Sequence, residues 1–288
     1  MNILIIGATG LLGQSLFHGM QGTNNKIYGT IRNKNLKKFF PLNMQDNLIE
    51  IGNVLSMTEL DSLLNTININ LVINCISVSS INTQSREVIN AIFAEFPHKL
   101  GELCKRNNIR LIQISSDGVF SGKKGNYSEI DTPDPVDLYG HAKLKGELSG
   151  NGQVTLRTSM IGHDPIKRGG LLEWFLSQKT CTLYSNYIFS GIPTNELALI
   201  IRDWVVPRPN LHGLYHISGE PISKHDLLKL ISEKYETKTT IIKDDSVKIN
   251  RSLSSNKFLK DTGYRAPSWP TLIDNMKRGN YKHGKNDD

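Results

Sequence analysis

Tyr139 and Lys143 stand four residues apart, so on a helix they share a face. Upstream, Ser115-Ser116-Asp117 closes the apolar run that begins at Ile109. A free phenol, with a pKa of about 10, is a poor acid or base near neutrality. A neighbouring ammonium and a second nearby cation stabilise the phenolate and lower that value. Tyr139 could then give a proton to a carbonyl oxygen while hydride reaches the carbonyl carbon. Ser116 could hydrogen-bond the same oxygen and fix its position. A Tyr–Lys pair at this spacing also arises on any exposed helix edge, so its meaning depends on the elements that position it.

The first of these elements is the N-terminus. Asn2 to Ile6 is an unbroken apolar, β-branched run, the pattern of a strand covered on both faces. Gly7, Gly10 and Gly13 follow, with Thr9, Leu11 and Leu12 between them. Gly7 allows a sharp turn, Gly10 lets a pyrophosphate approach the backbone, and Gly13 lets the next helix sit close to the strand. The free N–H groups at that helix N-terminus favour an anion. Strand, glycine spacing and apolar helix in this order point to a dinucleotide. Its oxidised nicotinamide would be the second cation near Tyr139, and Lys143 could hold the nicotinamide ribose.

Further strands are expected at Lys26 to Thr30, Asn47 to Ile51, Asn70 to Asn74, Ile109 to Ser115 and Gln153 to Arg157. Ser56 caps one intervening helix. A longer helix runs from about Ser85 to Lys105, with a kink or early break at Pro97. The alternation predicts an α/β fold, a Rossmann-type doubly wound parallel sheet with ligands outside the strand C-termini. No Asp or Glu occurs between Gly13 and Asp46, where NAD-selective sites place an acid. Arg32 stands there instead, which suits the 2′-phosphate of NADP(H), the preferred cofactor, with NAD(H) as the alternative. An Arg merely exposed at a strand end is the other reading. Residues 121–137 form a loop, and Asp137 starts the helix of Tyr139 and Lys143. Later helices are expected at 170–178, 194–205 and 224–235, and strands at 186–190 and 213–217. We divide the chain into residues 1–160, an NADP-binding domain, and 161–288, a smaller substrate-binding lobe with some segments returning to the main sheet. The chain end frays from Gly279.

Composition bounds the rest. The 288 residues are 38% hydrophobic and 21% charged, an ordinary balance for a folded protein. No apolar run is long enough to span a membrane, and no signal-peptide pattern opens the chain, so a cytoplasmic location is expected. Three scattered cysteines, Cys75, Cys104 and Cys181, read as reduced thiols. The net charge of +7 reflects a solvated surface or an anionic ligand; part of it sits at Lys277, Arg278, Lys282 and Lys285. No basic run with interleaved aromatics points to nucleic acid. His98 and Cys104 lack further ligands for a metal. His216, Trp174 and Phe175 read as core, and Asp244-Asp245 as a solvated turn.

Several motifs carry a resemblance over nearly the whole length. They are Gly7-Ala-Thr-Gly10-Leu-Leu-Gly13, Ile114-Ser-Ser-Asp-Gly-Val-Phe-Ser-Gly122, the Tyr127, Glu129, Pro133 and Pro135 loop, and Leu138-Tyr-Gly-His-Ala-Lys-Leu-Lys-Gly-Glu147. Leu156-Arg-Thr-Ser159, Gly213-Leu-Tyr-His-Ile-Ser-Gly219 and Arg251-Ser-Leu253 continue them. The chain resembles the extended short-chain dehydrogenases/reductases and, within them, is similar to the dTDP-4-dehydrorhamnose reductase group. The resemblance implies NADPH-dependent reduction of the C4 ketone of a nucleotide-linked 6-deoxyhexose. It implies that Ser116, Tyr139 and Lys143 are catalytic, and that Gly10, Leu11 and Leu12 line the pyrophosphate. Asn53 and Val54 would lie near the adenine, and Cys75, Ile76 and Ser77 would also contact the cofactor. Ser116, Asp117, Met160 and Arg251 would face the substrate, and Asn90 matches an Asn of the family's long helix.

Two departures stand out. Gly118 and Met160 occupy positions where the resemblance expects aromatics, Met160 replacing a Trp that packs on the sugar. Their loss widens the pocket and removes stacking surface. The sugar could then carry an extra group, as in a UDP-2-acetamido-2,6-dideoxy-4-ketohexose. Leu171-Leu-Glu-Trp-Phe-Leu and Tyr187-Ile-Phe-Ser-Gly resemble a branch associated with bacterial surface polysaccharides such as O antigen. A homodimer is open. Two rival readings remain: a non-catalytic NADP-binding partner resembling the regulatory subunit of methionine adenosyltransferase, and a sugar-nucleotide epimerase or dehydratase. The latter would need an acid after Asp117, where Gly118 stands.

Overall fold

The computed structural model describes residues 1–78 and 83–279. The basic positions Lys282 and Lys285, and the fraying expected beyond Gly279, lie outside the described residues. Strands β1 (Asn2–Ile6), β2 (Lys26–Ile31), β3 (Leu48–Glu50), β4 (Leu71–Asn74), β5 (Arg110–Ile114) and β6 (Gln153–Arg157) alternate with helices. After them come β7 (Met160–Ile161), β8 (Thr180–Tyr184), β9 (Tyr187–Phe189), β10 (Ile192–Pro193), β11 (Gly213–His216), β12 (Ile222–Ser223), β13 (Thr240–Asp244) and β14 (Ile249–Asn250).

Seven strands form one sheet in the order β11-β6-β5-β4-β1-β2-β3. Every pairing in it is parallel. The expected α/β doubly wound sheet is therefore the fold. The order reverses between β1 and β4, the switch point outside which ligands bind. β1 shows why an unbroken apolar run suits this place. Ile3 and Ile5 enter one core with Phe17 and Leu197, while Leu4 and Ile6 enter the other with Leu60, Phe96 and Leu100. Alternate residues of one strand thus feed both faces. A third core, built on Leu172, Phe175, Phe189, Leu228 and Leu272, lies among the later elements. Trp174 is 45% exposed, contrary to the expected core position, because its neighbour Phe175 takes the inward face of that short helix.

The long helical stretch carries the feature that seats Tyr139 and Lys143. It runs as a helix over Arg86–Asn90, a widened π turn over Ala91–Glu95, and a helix over Phe96–Arg106. Pro97 has no N–H to give the Phe93 carbonyl, so the ladder opens before it rather than breaking. Gly146 lies on that carbonyl, where a Cβ would overlap the oxygen. The opened turn thereby lets the Tyr139 helix close in. Its residue Phe93 meets the Tyr139 ring edge-on, with centroids 5.3 Å apart, and lies 5.2 Å from Lys143 Nζ.

Candidate functional site

The first turn after β1 forms as its glycines require. Gly7 takes φ +87°, a left-handed conformation that a side chain would strain. A Cβ at Gly13 would collide with the Gly7 carbonyl oxygen, so only glycine allows the helix Leu11–Gly19 this close. Around this turn lies a cavity of about 390 Å³. Gly7, Thr9, Gly10, Arg32, Asn53, Val54, Cys75, Ile76 and Ser77 all line it. Among the described residues no Asp or Glu lines it, and Arg32 and Lys167 are its only cations. Arg32 is exposed just past the end of β2. The cradle is thus shaped for backbone approach and biased toward anions, which fits a phosphorylated dinucleotide.

A second cavity, of about 360 Å³, opens on the other side of Cys75, Ile76 and Ser77, which line both. Leu11, Leu12, Ser116, Asp117, Gly118, Tyr139, Lys143, Met160 and Arg251 line it. The catalytic and substrate candidates therefore converge on one space beside the glycine turn. Gly118 packs closely against Ser116 and Tyr139: a Cβ there would be 3.3 Å from Ser116 Oγ, tighter than an ordinary contact, and 3.6 Å from the Tyr139 ring. Gly13 lines neither cavity and acts through packing.

Each chemical group is held locally. The Asp137 carboxylate accepts from Gly140 N at 2.7 Å and caps the helix Leu138–Lys145. Ser116 Oγ accepts from Gly118 N at 3.0 Å and donates to Asp117 Oδ1 at 3.2 Å, beside Tyr139 in the same cavity lining. Lys143 Nζ donates to the Ile114 carbonyl at 2.6 Å. Burial raises the Asp117 carboxyl pKa, opposed by the Arg251 guanidinium. Arg251 lies 3.9 Å from Asp137, and its Nε is buried without a partner.

The expected acidification of the phenol counts on the Lys143 ammonium and an oxidised nicotinamide together. In the chain alone, burial pushes the Tyr139 phenol up to about 12, with Ser116 opposing and Asp117 adding to the rise. Lys143 is turned to the Ile114 carbonyl, and burial pulls its own pKa down to about 8, partly offset by Glu147 and Cys75. The phenol of the chain alone is therefore protonated, and lowering its pKa toward neutrality takes added positive charge.

Sequence reasoning missed the frame beneath the site. Arg157 Nε and a terminal nitrogen donate to the two Glu147 carboxylate oxygens at 2.7 Å each. Ser115 Oγ donates to the same carboxylate at 2.7 Å. His216 Nδ1 donates to the Tyr127 carbonyl at 3.0 Å, leaving Nε2 to accept from Arg157 at 3.3 Å. That makes His216 neutral, and burial and the Arg157 charge hold its pKa down at about 4. Glu147 lies one turn beyond Lys143, so the i, i+4, i+8 spacing was the available signal. Among the described residues no group of three or more His, Cys, Asp or Glu is placed to hold a metal. All three cysteines are free and buried, and burial pushes the Cys75 thiol up. No helix among the described residues is long and apolar enough to cross a membrane.

Comparison with known proteins agrees with this fold. A dTDP-4-dehydrorhamnose reductase from Clostridium acetobutylicum superposes with a TM-score of 0.77 at 21% identity, covering 96% of this chain and 99% of that one. The dTDP-4-dehydrorhamnose reductase of Bacillus anthracis, solved in complex with NADP, gives 0.77 at 19% identity, covering 96% and 98%. The methionine adenosyltransferase 2 subunit beta of Xenopus laevis is 24% identical over 318 residues, covering 97% of this chain and 91% of its own. Residues 1–276 match the family described as the RmlD substrate binding domain, and the chain belongs to that family.

Proposed function

We propose that the protein is an oxidoreductase that uses NADPH, with NADH as the weaker alternative, to reduce the C4 ketone of a nucleotide-linked 6-deoxy-4-ketohexose. The observation that carries this reading is the meeting of Tyr139, Lys143 and Ser116 in a cavity that shares a wall with the glycine-turn cradle. Residues 1–160 would hold the cofactor, and 161–288 mainly the substrate. The cofactor, when bound, supplies the hydride. Arg32 would take the 2′-phosphate, and Gly10, Leu11 and Leu12 of the glycine turn the pyrophosphate. Asn53 and Val54 would border the adenine.

Tyr139 donates its proton to the ketone oxygen as charge develops there, and Ser116 orients that oxygen. Lys143, one helical turn from Tyr139 in the same cavity, would donate to the nicotinamide ribose. Asp117, Met160 and Arg251 border the sugar. The absence of aromatic side chains at Gly118 and Met160, both in the cavity lining, supports a substituted hexose, such as one carrying a 2-acetamido group, destined for a surface polysaccharide. Gly118 also leaves no second acid after Asp117, which disfavours a dehydratase.

The test is a panel of dTDP- and UDP-linked 4-ketosugars mixed with protein and NADPH, followed by nicotinamide absorbance. Turnover on at least one member is expected. The likeness to the methionine adenosyltransferase subunit favours a second reading, an NADP-binding partner protein without turnover. Tight NADPH binding with no oxidation across the panel would select it.

A further inference from the structure

Lys167 lies beyond β7, outside every cofactor motif, yet it lines the cavity of the glycine turn. A short chain of hydrogen bonds ties it there. Gln14 Nε2 donates to the Thr9 carbonyl at 3.1 Å and to Asp164 Oδ1 at 3.3 Å. Asp164 Oδ1 in turn accepts the backbone N–H of Lys167 at 2.9 Å. Three bonds thus join the glycine turn to the Lys167 backbone. Asp164 is 6% exposed, its N–H donates to Glu173 Oε1 at 3.1 Å, and its carbonyl accepts from Arg168 N at 2.7 Å. The loop is therefore fixed from both sides, while the Lys167 side chain is left exposed at the cavity. The other cation of the cavity, Arg32, follows β2. Two cations stand at two places, with no carboxylate in the lining to neutralise either.

We propose that Lys167 is a ligand of the dinucleotide pyrophosphate, delivered from the later lobe, and that Gln14 and Asp164 are positioning residues that hold it over the glycine turn. This rests on the dinucleotide reading above and assigns the second cation a separate phosphate. A charge-assisted contact of this kind changes affinity by about tenfold or more.

The test is titration of the full chain with NADPH, NADH and 2′-AMP, for the parent, Lys167→Ala, Lys167→Arg, Arg32→Ala, Asp164→Ala and the Asp164→Ala/Lys167→Ala pair. Lys167→Ala should raise the Kd for NADPH and NADH by the same factor, about tenfold, and leave 2′-AMP unchanged, since 2′-AMP has no pyrophosphate. Lys167→Arg should restore most of the affinity. Asp164→Ala should lose part of it, and the double variant should bind no more weakly than Lys167→Ala alone. Arg32→Ala should weaken NADPH and 2′-AMP but not NADH. Unchanged dinucleotide affinity in Lys167→Ala, or weakening confined to NADPH and 2′-AMP, would overturn the Lys167 assignment while leaving the dinucleotide reading intact. A parent protein that binds none of the three would overturn both.

Discussion

The two cavities on either side of Cys75–Ser77 are built in different ways. The first is organised by a backbone turn at Gly7, a close approach at Gly13 and the ends of β1, β2 and β4, with side chains such as Arg32, Asn53 and Lys167 around them. The second is made of side chains brought together from β5, the Tyr139 helix, β7 and the stretch beyond β14. Beneath it lies the buried Glu147–Arg157–His216 frame. A backbone cradle depends on a few local residues and tolerates change elsewhere. A side-chain site depends on distant partners and fails when any of them moves. Substitutions should separate the two.

The sharpest separation is expected from Tyr139→Phe. It should lower kcat by about 10³-fold, the range of a lost general acid, while NADPH binds as before. Equal loss of binding and turnover would mean that the cavities are not independent. Next is Glu147→Ala, which strands the Arg157 guanidinium, 3% exposed, without its carboxylate. Breaking a buried pair costs about 3–5 kcal/mol, read as a fall in urea midpoint. Glycine-turn geometry makes no use of this pair, so any NADPH affinity remaining in the folded fraction should be near normal.

Lys143→Met probes the same site with the opposite sign. The Lys143 pKa falls to about 8 on folding, so the unfolded chain binds more protons between about 8 and its ordinary value of about 10.4. Lys143 therefore contributes a rise in stability with pH across that window, up to about 3 kcal/mol, read as the difference between parent and Lys143→Met because the buried Cys75, Cys104 and Tyr139, raised on folding, act in the opposite direction. In Lys143→Met that contribution should vanish, so stability should fall more steeply with pH than in the parent, and stability at neutral pH should be no lower, although turnover falls. A variant that is both less stable and as pH-dependent as the parent would show that Lys143 is not the group responsible. The smallest effect belongs to the first cavity: Arg32→Ala should weaken NADPH about tenfold and NADH hardly at all. Equal weakening of both would remove the 2′-phosphate assignment.

The same contrast explains what the sequence made legible. The order of the strands and the glycine turn follow from apolar periodicity and from spacing within a dozen residues. The Tyr139–Lys143 pair was readable because helix geometry fixes i and i+4. The frame was not, because Arg157 meets His216 only after β11 pairs with β6, fifty-odd residues on. Lys167 was missed for the same reason, since its tether runs through Gln14, 150 residues from Asp164. The direction of the Tyr139 shift depends on burial, which residue spacing does not report. Pro97 was legible as an interruption, but the widened turn that resolves it depends on Gly146 from another helix end.

The most direct measurement uses NADPH carrying deuterium at the transferable position of nicotinamide C4, incubated with a nucleotide-linked 4-keto-6-deoxyhexose that the protein turns over. The account predicts one deuterium on C4 of the product sugar, seen by NMR. Deuterium retained entirely on the cofactor, or found at another carbon of the sugar, would contradict it.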